Sequence, residues 1–551
     1  KKLFSIYEPV LAWLLKRKKQ TLTLAFIAVL SIVPGFMLLG SEFMPTLHEG
    51  SLLYMPTALP GLSVSEAQKL LIKQDQILKS FPEVESVFGK AGRADTPTDT
   101  APLSMIETTI ILKDKSLWRT ANQWYSFLPT VLQKPFIRIW PNHISEEALV
   151  NEMNQKLKFL GMPNIWTMPI KNRIDMLSTG IRSAIGIKIF GDDSKTIEKI
   201  GQEIEQVLKE VPGTRTSVAE RIASGYFLDI DFDRNKLQYY GLSLKQAQDQ
   251  AMAAIGGENV STAIMGLERY PIQVRLAPDF RQDIKSISKV LITTQTGAQI
   301  PLKNIAEIQV HQGAAMIRNE NASLVGYVYV DIDTSKTDLG SYIKLAKADV
   351  ASKIQLPIGY SINWSGQYEN MARVKERLKL VIPLTLVLII LILFLNTKSW
   401  VKTGIILLAV PFSLIGAVWL MVFLDYNMSI AAWVGMIALL GLDAETGVFM
   451  LMYLDLSYNE RKEKGLMKNT KDLHAAIMEG AVHRVRPKMM TVMALFMGLI
   501  PIMWSQGAGA DVMKHIAAPM IGGLTSSFLL ELLIYPLIYF YWRRLELVDN
   551  S

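Results

Sequence analysis

Cysteine is absent from the 551 residues. Disulfides, thiolate metal sites and cysteine nucleophiles are thereby excluded together. Histidine is nearly as scarce, with six in the chain, and only His48, His143 and His311 fall in the long polar middle, too scattered for a ligand motif. Methionine is plentiful at 26 residues, so any soft-ligand chemistry has to run on thioethers. Also missing, between about residues 45 and 370, is any apolar run of membrane length. The ends of the chain supply those runs instead. An apolar share of 50% with positive mean hydropathy therefore points to a membrane protein with a large soluble part. The net charge of +8 is concentrated beside the apolar spans, where it reads as a topology signal and not as affinity for nucleic acid.

Residues 3–15 pattern as an amphipathic interfacial helix, followed by the cationic run Lys16–Lys19 and a first span at about 21–39. That span is long, contains Pro34 and lacks a small-residue cleavage site at its end, so it is expected to be a retained membrane helix and not a signal peptide. From Leu378 onward further spans are expected at about 378–395, 403–424, 430–453, 488–505 and 516–541. Lys16–Lys19, Lys398 with Lys402, Arg461–Arg486 and Arg543-Arg544 all fall on one side if the chain crosses at each span. Positive-inside counting then puts the soluble middle outside the cytoplasm.

That middle alternates β-type and amphipathic helical runs. Strands are expected at Ser51–Thr57, Glu83–Gly89 and Met105–Leu112 with a helix at Ser63–Ser80, and a second round starts at Ile185–Phe190 with a helix to Glu210 and a strand at Thr214–Ala219. The rounds share a junction, Ile77-Leu-Lys-Ser-Phe-Pro82 beside Val207-Leu-Lys-Glu-Val-Pro212, as expected of repeated split βαβ sandwiches. Between Arg221 and Ile317 the pattern turns towards β, and the βαβ style resumes at Val325–Ile332. An insertion within the second sandwich is the expected cause.

One span stands out. Gly435–Tyr453 carries Asp443 and Glu445 near its middle, where an ionisable group costs on the order of 2.5–3.5 kcal/mol and usually marks an ion or proton path. The two point roughly 200° apart on a helix, so only one can face a given partner.

Several long runs carry a resemblance. Leu53-Tyr-Met55-Pro-Thr-Ala-Leu-Pro-Gly61, Val87-Phe-Gly-Lys-Ala-Gly-Arg93, Ala101-Pro-Leu-Ser-Met105-Ile-Glu107-Thr-Thr109, Asn172-Arg-Ile-Asp-Met176-Leu-Ser-Thr-Gly180, Arg484-Val-Arg-Pro-Lys488 and Ala517-Ala-Pro-Met-Ile-Gly-Gly523 resemble the heavy-metal branch of the resistance-nodulation-division transporters. Within it they resemble the CusA-like copper/silver pumps, of which the chain matches the C-terminal half. The resemblance implies an α+β membrane protein of the bacterial inner membrane, with about six transmembrane helices and a large periplasmic domain of βαβ sandwiches. The expected division is an interfacial helix at 1–20, a first transmembrane helix at 21–40 and a porter subdomain at 41–183. A second porter subdomain follows at 184–220 and 318–370, split by a docking subdomain at 221–317, and five transmembrane helices occupy 371–545.

It implies function as well. Proton-driven export of Cu(I) or Ag(I) as transported substrate is expected, with no cofactor and no enzymatic catalysis. The implied partners are the missing N-terminal half, two further copies in a homotrimer, a periplasmic adaptor, an outer-membrane channel and the lipid bilayer, with no nucleic acid. Met55, Met105 and Met176 match the family's metal-binding methionines, and Met513 a stepping position on its route. Read singly, each methionine is a flexible core filler, and it is the resemblance that turns it into a ligand. Glu107, two residues from Met105, either attracts the cation or is a solvated acid. Arg182 stands where the pattern has lysine, and Asn259 where a further methionine aligns. Glu445 and Lys488 match the proton-relay acid and lysine, so they are expected to face each other while Asp443 points elsewhere. The alternatives are a pump for divalent cations or drugs on the same scaffold, and a non-transporting membrane scaffold.

Overall fold

The computed structural model describes residues 2–549 apart from 46, 59, 93–101, 124, 128, 130–141, 315, 468 and 506. Arg93 and Ala101, at the ends of two of the motif runs, thus lie outside the described residues. The chain begins with helix α1 (Lys2–Lys16), whose Tyr7, Leu11, Leu14 and Leu15 are buried against the C-terminal helices, with the Tyr7 hydroxyl donating to the Leu532 carbonyl at 2.6 Å. Helices α2 (Lys18–Leu30) and α3 (Ile32–Leu38) continue as one apolar span.

The first sheet is built by strands β1 (Ser51–Tyr54), β2 (Val84–Ala91), β3 (Ile106–Leu112) and β4 (Trp166–Thr167), with helix α4 (Val64–Lys79) between β1 and β2 and α5 (Glu146–Lys156) between β3 and β4. In β3 every second residue, Ile106, Thr108, Ile110 and Leu112, is buried, as a sheet with one covered face requires. The helices begin where the sequence supplies caps: the Ser63 and Ser145 hydroxyls accept from the backbone N–H three residues on. Strand order is β2-β3-β1-β4 with antiparallel neighbours, so β3 separates β1 from β2 and each crossover skips a strand.

The second sheet repeats that plan. Strands β5 (Ile185–Gly191), β6 (Thr214–Ala219), β14 (Ser323–Ile332) and β15 (Ser361–Gly366) run in the order β6-β14-β5-β15, with helix α7 (Ser194–Lys209) after β5 and α11 (Leu339–Lys353) after β14. Between β6 and β14 come strands β7 (Gly225–Phe232) to β12 (Ala306–Gly313), helices α8 (Arg234–Tyr239), α9 (Leu244–Ala251) and α10 (Ile284–Ile287), and a separate core around Leu237, Ile292 and Leu302. Strand β7 pairs with β12 and closes this stretch at its base. The helix left unnumbered between β4 and β5 is α6 (Pro169–Thr179), and the sequence reading missed it.

Strand β15 passes directly into α12 (Gln367–Thr397), the second span. Then follow α13 (Trp400–Leu407) with α14 (Ala409–Phe423), α15 (Ile430–Glu463), α16 (Thr470–Met503) and α17 (Ala510–Asp549), the last bent by 45° near Glu531. Among the described residues five helices are long and apolar enough to cross a membrane, or six counting the bent α17 as one. These helices embed the protein in a membrane, and the two-sheet part stands on its extracytoplasmic side. His48 ties the two regions together: one ring nitrogen lies 2.7 Å from Glu146 of α5 and the other 3.2 Å from Asp511 of α17.

Helix α17 packs against α14, α15 and α16. Its approach to α14 is set by Gly416 and Gly522, since a Cβ on either would overlap the carbonyl oxygen of the other. Glycine is what permits that crossing. Gly416→Ala is therefore expected to cost about 1–3 kcal/mol by overpacking, read as a lower unfolding midpoint in detergent; an unchanged midpoint would show that the helices can part at no cost.

Candidate functional site

Two places concentrate chemistry: a cavity in the extracytoplasmic part and a charge cluster among the membrane helices. Met55 follows β1 directly and its backbone N–H donates to Ile165 at 2.9 Å. Its side chain is 0% exposed, packed with Leu53, Ile165, Ile181, Val325, Tyr327 and Tyr329, and Met105 lies against the same cluster. A β-bridge between Thr57 and Met105 fixes that neighbourhood. The structure thus brings Met55 and Met105 together.

Met176 lies on α6, because Pro169 starts a helix at its first turn and Gly180, in the left-handed region at φ 75°, ends it. That helix packs against β1, and the Met176 sulfur accepts from the Asn172 amide at 3.4 Å. One turn of the same helix ties the sandwich to the membrane: buried Asp175 accepts from Gln367, the first residue of α12, at 3.0 Å. Burial raises the Asp175 carboxyl above its usual range, against that hydrogen bond.

The cavity holds about 500 Å³ and reaches from Thr57, Ala58 and Pro60 to β6. Met105, Met162 and Met316 line it together, a thioether set of which the sequence reading named only one. Nothing in the spacing of residues 162 and 316 signals this; only folding the insertion's exit beside the first sheet does. Arg182 also lines the wall, 7% exposed, donating to the Thr57 hydroxyl at 2.7 Å and stacked 4.3 Å over the Tyr329 ring. Burial pushes the Tyr329 hydroxyl up, with Glu220 beside it adding to the effect. Glu107 is half-buried and paired with Lys90 at 3.2 Å, which occupies its charge. Met513 sits in the first turn of α17, half exposed, and Asn259 opens the exposed strand β8 (Glu258–Met265). Among the described residues no three His, Asp or Glu side chains stand close enough to hold a metal ion.

In the membrane part the structure corrects one expectation. Glu445 does not face Lys488. The buried face of α15 runs through Met436, Leu439, Asp443, Gly447, Met450 and Leu454, steps of three or four that carry Asp443 inward. Glu445, about 200° away, is on the outside of this helix set. Lys488 of α16, 3% exposed, is ion-paired instead with Glu531 of α17, 0% exposed. Glu531 also accepts from the Thr446 and Ser527 hydroxyls, each at 3.0 Å. Sequence reasoning passed over Glu531, although an acid within Phe528-Leu-Leu-Glu-Leu-Leu-Ile534 is the same signal that singled out Asp443. Towards the cytoplasmic end a third buried acid, Asp455, holds α13, α15 and α17 together through Lys402, Arg543 and Tyr539.

The model of the AcrB/AcrD/AcrF family matches residues 1–543. SilA of Salmonella typhimurium is 39% identical over 545 residues, covering 98% of this chain and 50% of that protein. The cation efflux system protein CusA of Escherichia coli (strain K12) is 38% identical, covering 98% and 49%. The cobalt-zinc-cadmium resistance protein CzcA of Cupriavidus metallidurans is 29% identical, covering 97% and 48%. A crystal structure of a heavy metal efflux pump superposes with a TM-score of 0.84 at 24% identity, covering 98% of this chain and 52% of that one. The chain spans about half the length of the curated relatives it matches.

Proposed function

The chain belongs to the AcrB/AcrD/AcrF family, and from that premise we propose that it is one half of a proton-driven exporter of the soft monovalent ions Cu(I) and Ag(I). The observation that carries this reading is the presence of Met55 and Met105 at one apolar cluster outside the membrane together with a buried lysine–carboxylate group inside it. Thioethers are neutral and soft, which suits Cu(I) and Ag(I) and serves Zn(II) or Ni(II) poorly. A lysine and carboxylates held in hydrocarbon are costly, and such groups mark proton paths in transporters. The export is thus secondary active transport and not an enzymatic reaction.

In this reading Met55, Met105 and Met176 are the ligands of the transported ion, and Met513 is a further stop. Glu107 contributes negative potential near the entry, tempered by Lys90. Lys488 carries the coupling. Glu445, on the outer face of α15, serves the relay against whatever packs there, which we take to be the N-terminal half. The assembly is a homotrimer in the bacterial inner membrane, with residues 221–317 as the docking subdomain towards a periplasmic adaptor and an outer-membrane channel. CzcA's 29% identity favours a second reading, export of divalent cations on the same scaffold.

The test is metal flux in proteoliposomes carrying the complete pump, driven by a pH gradient. Silver uptake that collapses with a protonophore and resists competition by Zn(II) is expected. Flux of Zn(II) with none of Ag(I) would favour the divalent reading, and no gradient-driven flux of either would end the transport proposal.

A further inference from the structure

Two carboxylates share the surroundings of Lys488, and their environments differ. Glu531 on α17 has three donors: Lys488, Thr446 and Ser527. Asp443 on α15, 1% exposed, has a hydrogen-bond partner at neither oxygen. The hydroxyls that interact with it are those of Ser413 on α14 and Ser527 on α17, neither in hydrogen-bonding geometry with it. Both are committed elsewhere, Ser413 donating to the Val410 carbonyl at 2.9 Å and Ser527 to Glu531 at 3.0 Å. The Tyr535 hydroxyl, also on α17, is spent on the Ile406 carbonyl at 2.8 Å. An ionised carboxylate with no donor is a heavy cost in such a place. A protonated one has a use for its surroundings, because its O–H can donate to a serine oxygen, which still has a free lone pair.

Charge counting agrees. Asp443 from α15 and Glu531 from α17 face one ammonium, Lys488 of α16, while α14 presents only the neutral Ser413. Arg484, one turn before Lys488 on α16, is held over the rings of Phe449 and Tyr453 at 4.7 and 5.1 Å. One proton on the acid pair leaves the inner group neutral.

We propose that Asp443 is the proton-carrying group of this helix set and that Glu531 is the standing counter-ion of Lys488, so that these helices contain a whole proton-binding site of their own. The inference rests on the proton-driven reading for its purpose but not for its chemistry. A proton taken from water binds an Asp443 oxygen and its O–H donates to Ser413 or Ser527. When it leaves, Asp443 is ionised and draws the Lys488 ammonium away from Glu531, shifting α16 between α15 and α17. Glu445, outside this set, is not needed for that exchange.

Infrared difference spectroscopy of the complete pump in lipid, between acidic and alkaline buffer, reads carboxyl protonation without reference to transport. A protonated-carboxyl band shifted by deuterium is expected in the parent protein, with a component lost in Asp443→Asn and nothing lost in Glu460→Gln, which alters an exposed acid of α15 paired with Lys464. Glu531→Gln hands Lys488 to Asp443, which then stays ionised, so the same component should weaken. A band left unchanged by Asp443→Asn overturns the proposal. Should Asp443→Asn fail to accumulate, a hydrophobic carbodiimide on the parent protein decides by peptide mapping: an adduct on Asp443 that declines at alkaline pH supports the assignment, and adducts confined to Glu445 or Glu531 refute it. The expected infrared pattern without pH-driven metal flux would support this site and count against the transport reading alone.

Discussion

Lys488→Met is expected to destabilise the membrane part by about 3–5 kcal/mol, because it leaves Glu531 buried with its charge uncompensated. The figure belongs to breaking a buried pair and not to the pair's net worth. Glu531 is 0% exposed and keeps two hydroxyl donors, Thr446 and Ser527, which offset only part of the loss. Removing both charges is a different matter. Lys488→Met combined with Glu531→Leu places two apolar side chains of similar bulk in contact, and such replacements are often neutral or stabilising. The double variant is therefore expected to regain most of the unfolding midpoint in detergent while pH-driven flux stays absent. Recovery of stability without flux separates a coupling role from a packing role. A double variant as unstable as Lys488→Met would show that the pair is not the source of the cost, and one with near-parental flux would remove Lys488 from the proton path.

The sandwiches were legible from the sequence because both devices that specify them are local. Alternating apolar residues mark β3, and the amphipathic run behind Ser63 marks α4. The strand–helix–strand repeat and its interruption were visible in the same way, whereas α5, α6 and the strand orders β2-β3-β1-β4 and β6-β14-β5-β15 emerge only in the fold. Inside the membrane the pattern was read less well, and the reason is physical. Apolar residues surround α15 on all sides, so hydropathy does not tell a lipid-facing side from a packed one. In the structure Gly435 and Gly447 fall on the Asp443 side, where a Cβ would meet the backbone of Ile516 or the side chains of Ile406 and Tyr535, but Gly441 lies on the Glu445 side and meets nothing, so the glycines alone do not mark the inner face either. Met162 and Met316 are a harder case, since they meet Met105 only through the packing of separate segments around one cavity.

The largest expected effect on the metal itself concerns Met55 and Met105, and the two should fail in different ways. Met105 lines the cavity, whereas Met55 lies behind it in a fully closed core. An ion arriving from the cavity therefore meets the Met105 sulfur first and reaches Met55 only if the end of β1 moves. Isoleucine keeps the bulk at either position and suits an extended segment, so each exchange should cost less than about 1.5 kcal/mol of stability. What it removes is the donor. Met105→Ile is expected to slow silver capture and weaken affinity by at least about tenfold, equal to ~1.4 kcal/mol. Met55→Ile should leave capture near the parental rate and instead speed release, with a similar loss of affinity. Stopped-flow mixing of the complete pump with Ag(I), alongside calorimetry, measures both. Unchanged silver affinity in Met55→Ile, with the fold intact by its unfolding midpoint, would return Met55 to the role of a core filler. Equal slowing of capture by both exchanges would instead mean that the closed core opens before the ion arrives, and that Met55 is as accessible as Met105 in the state that binds.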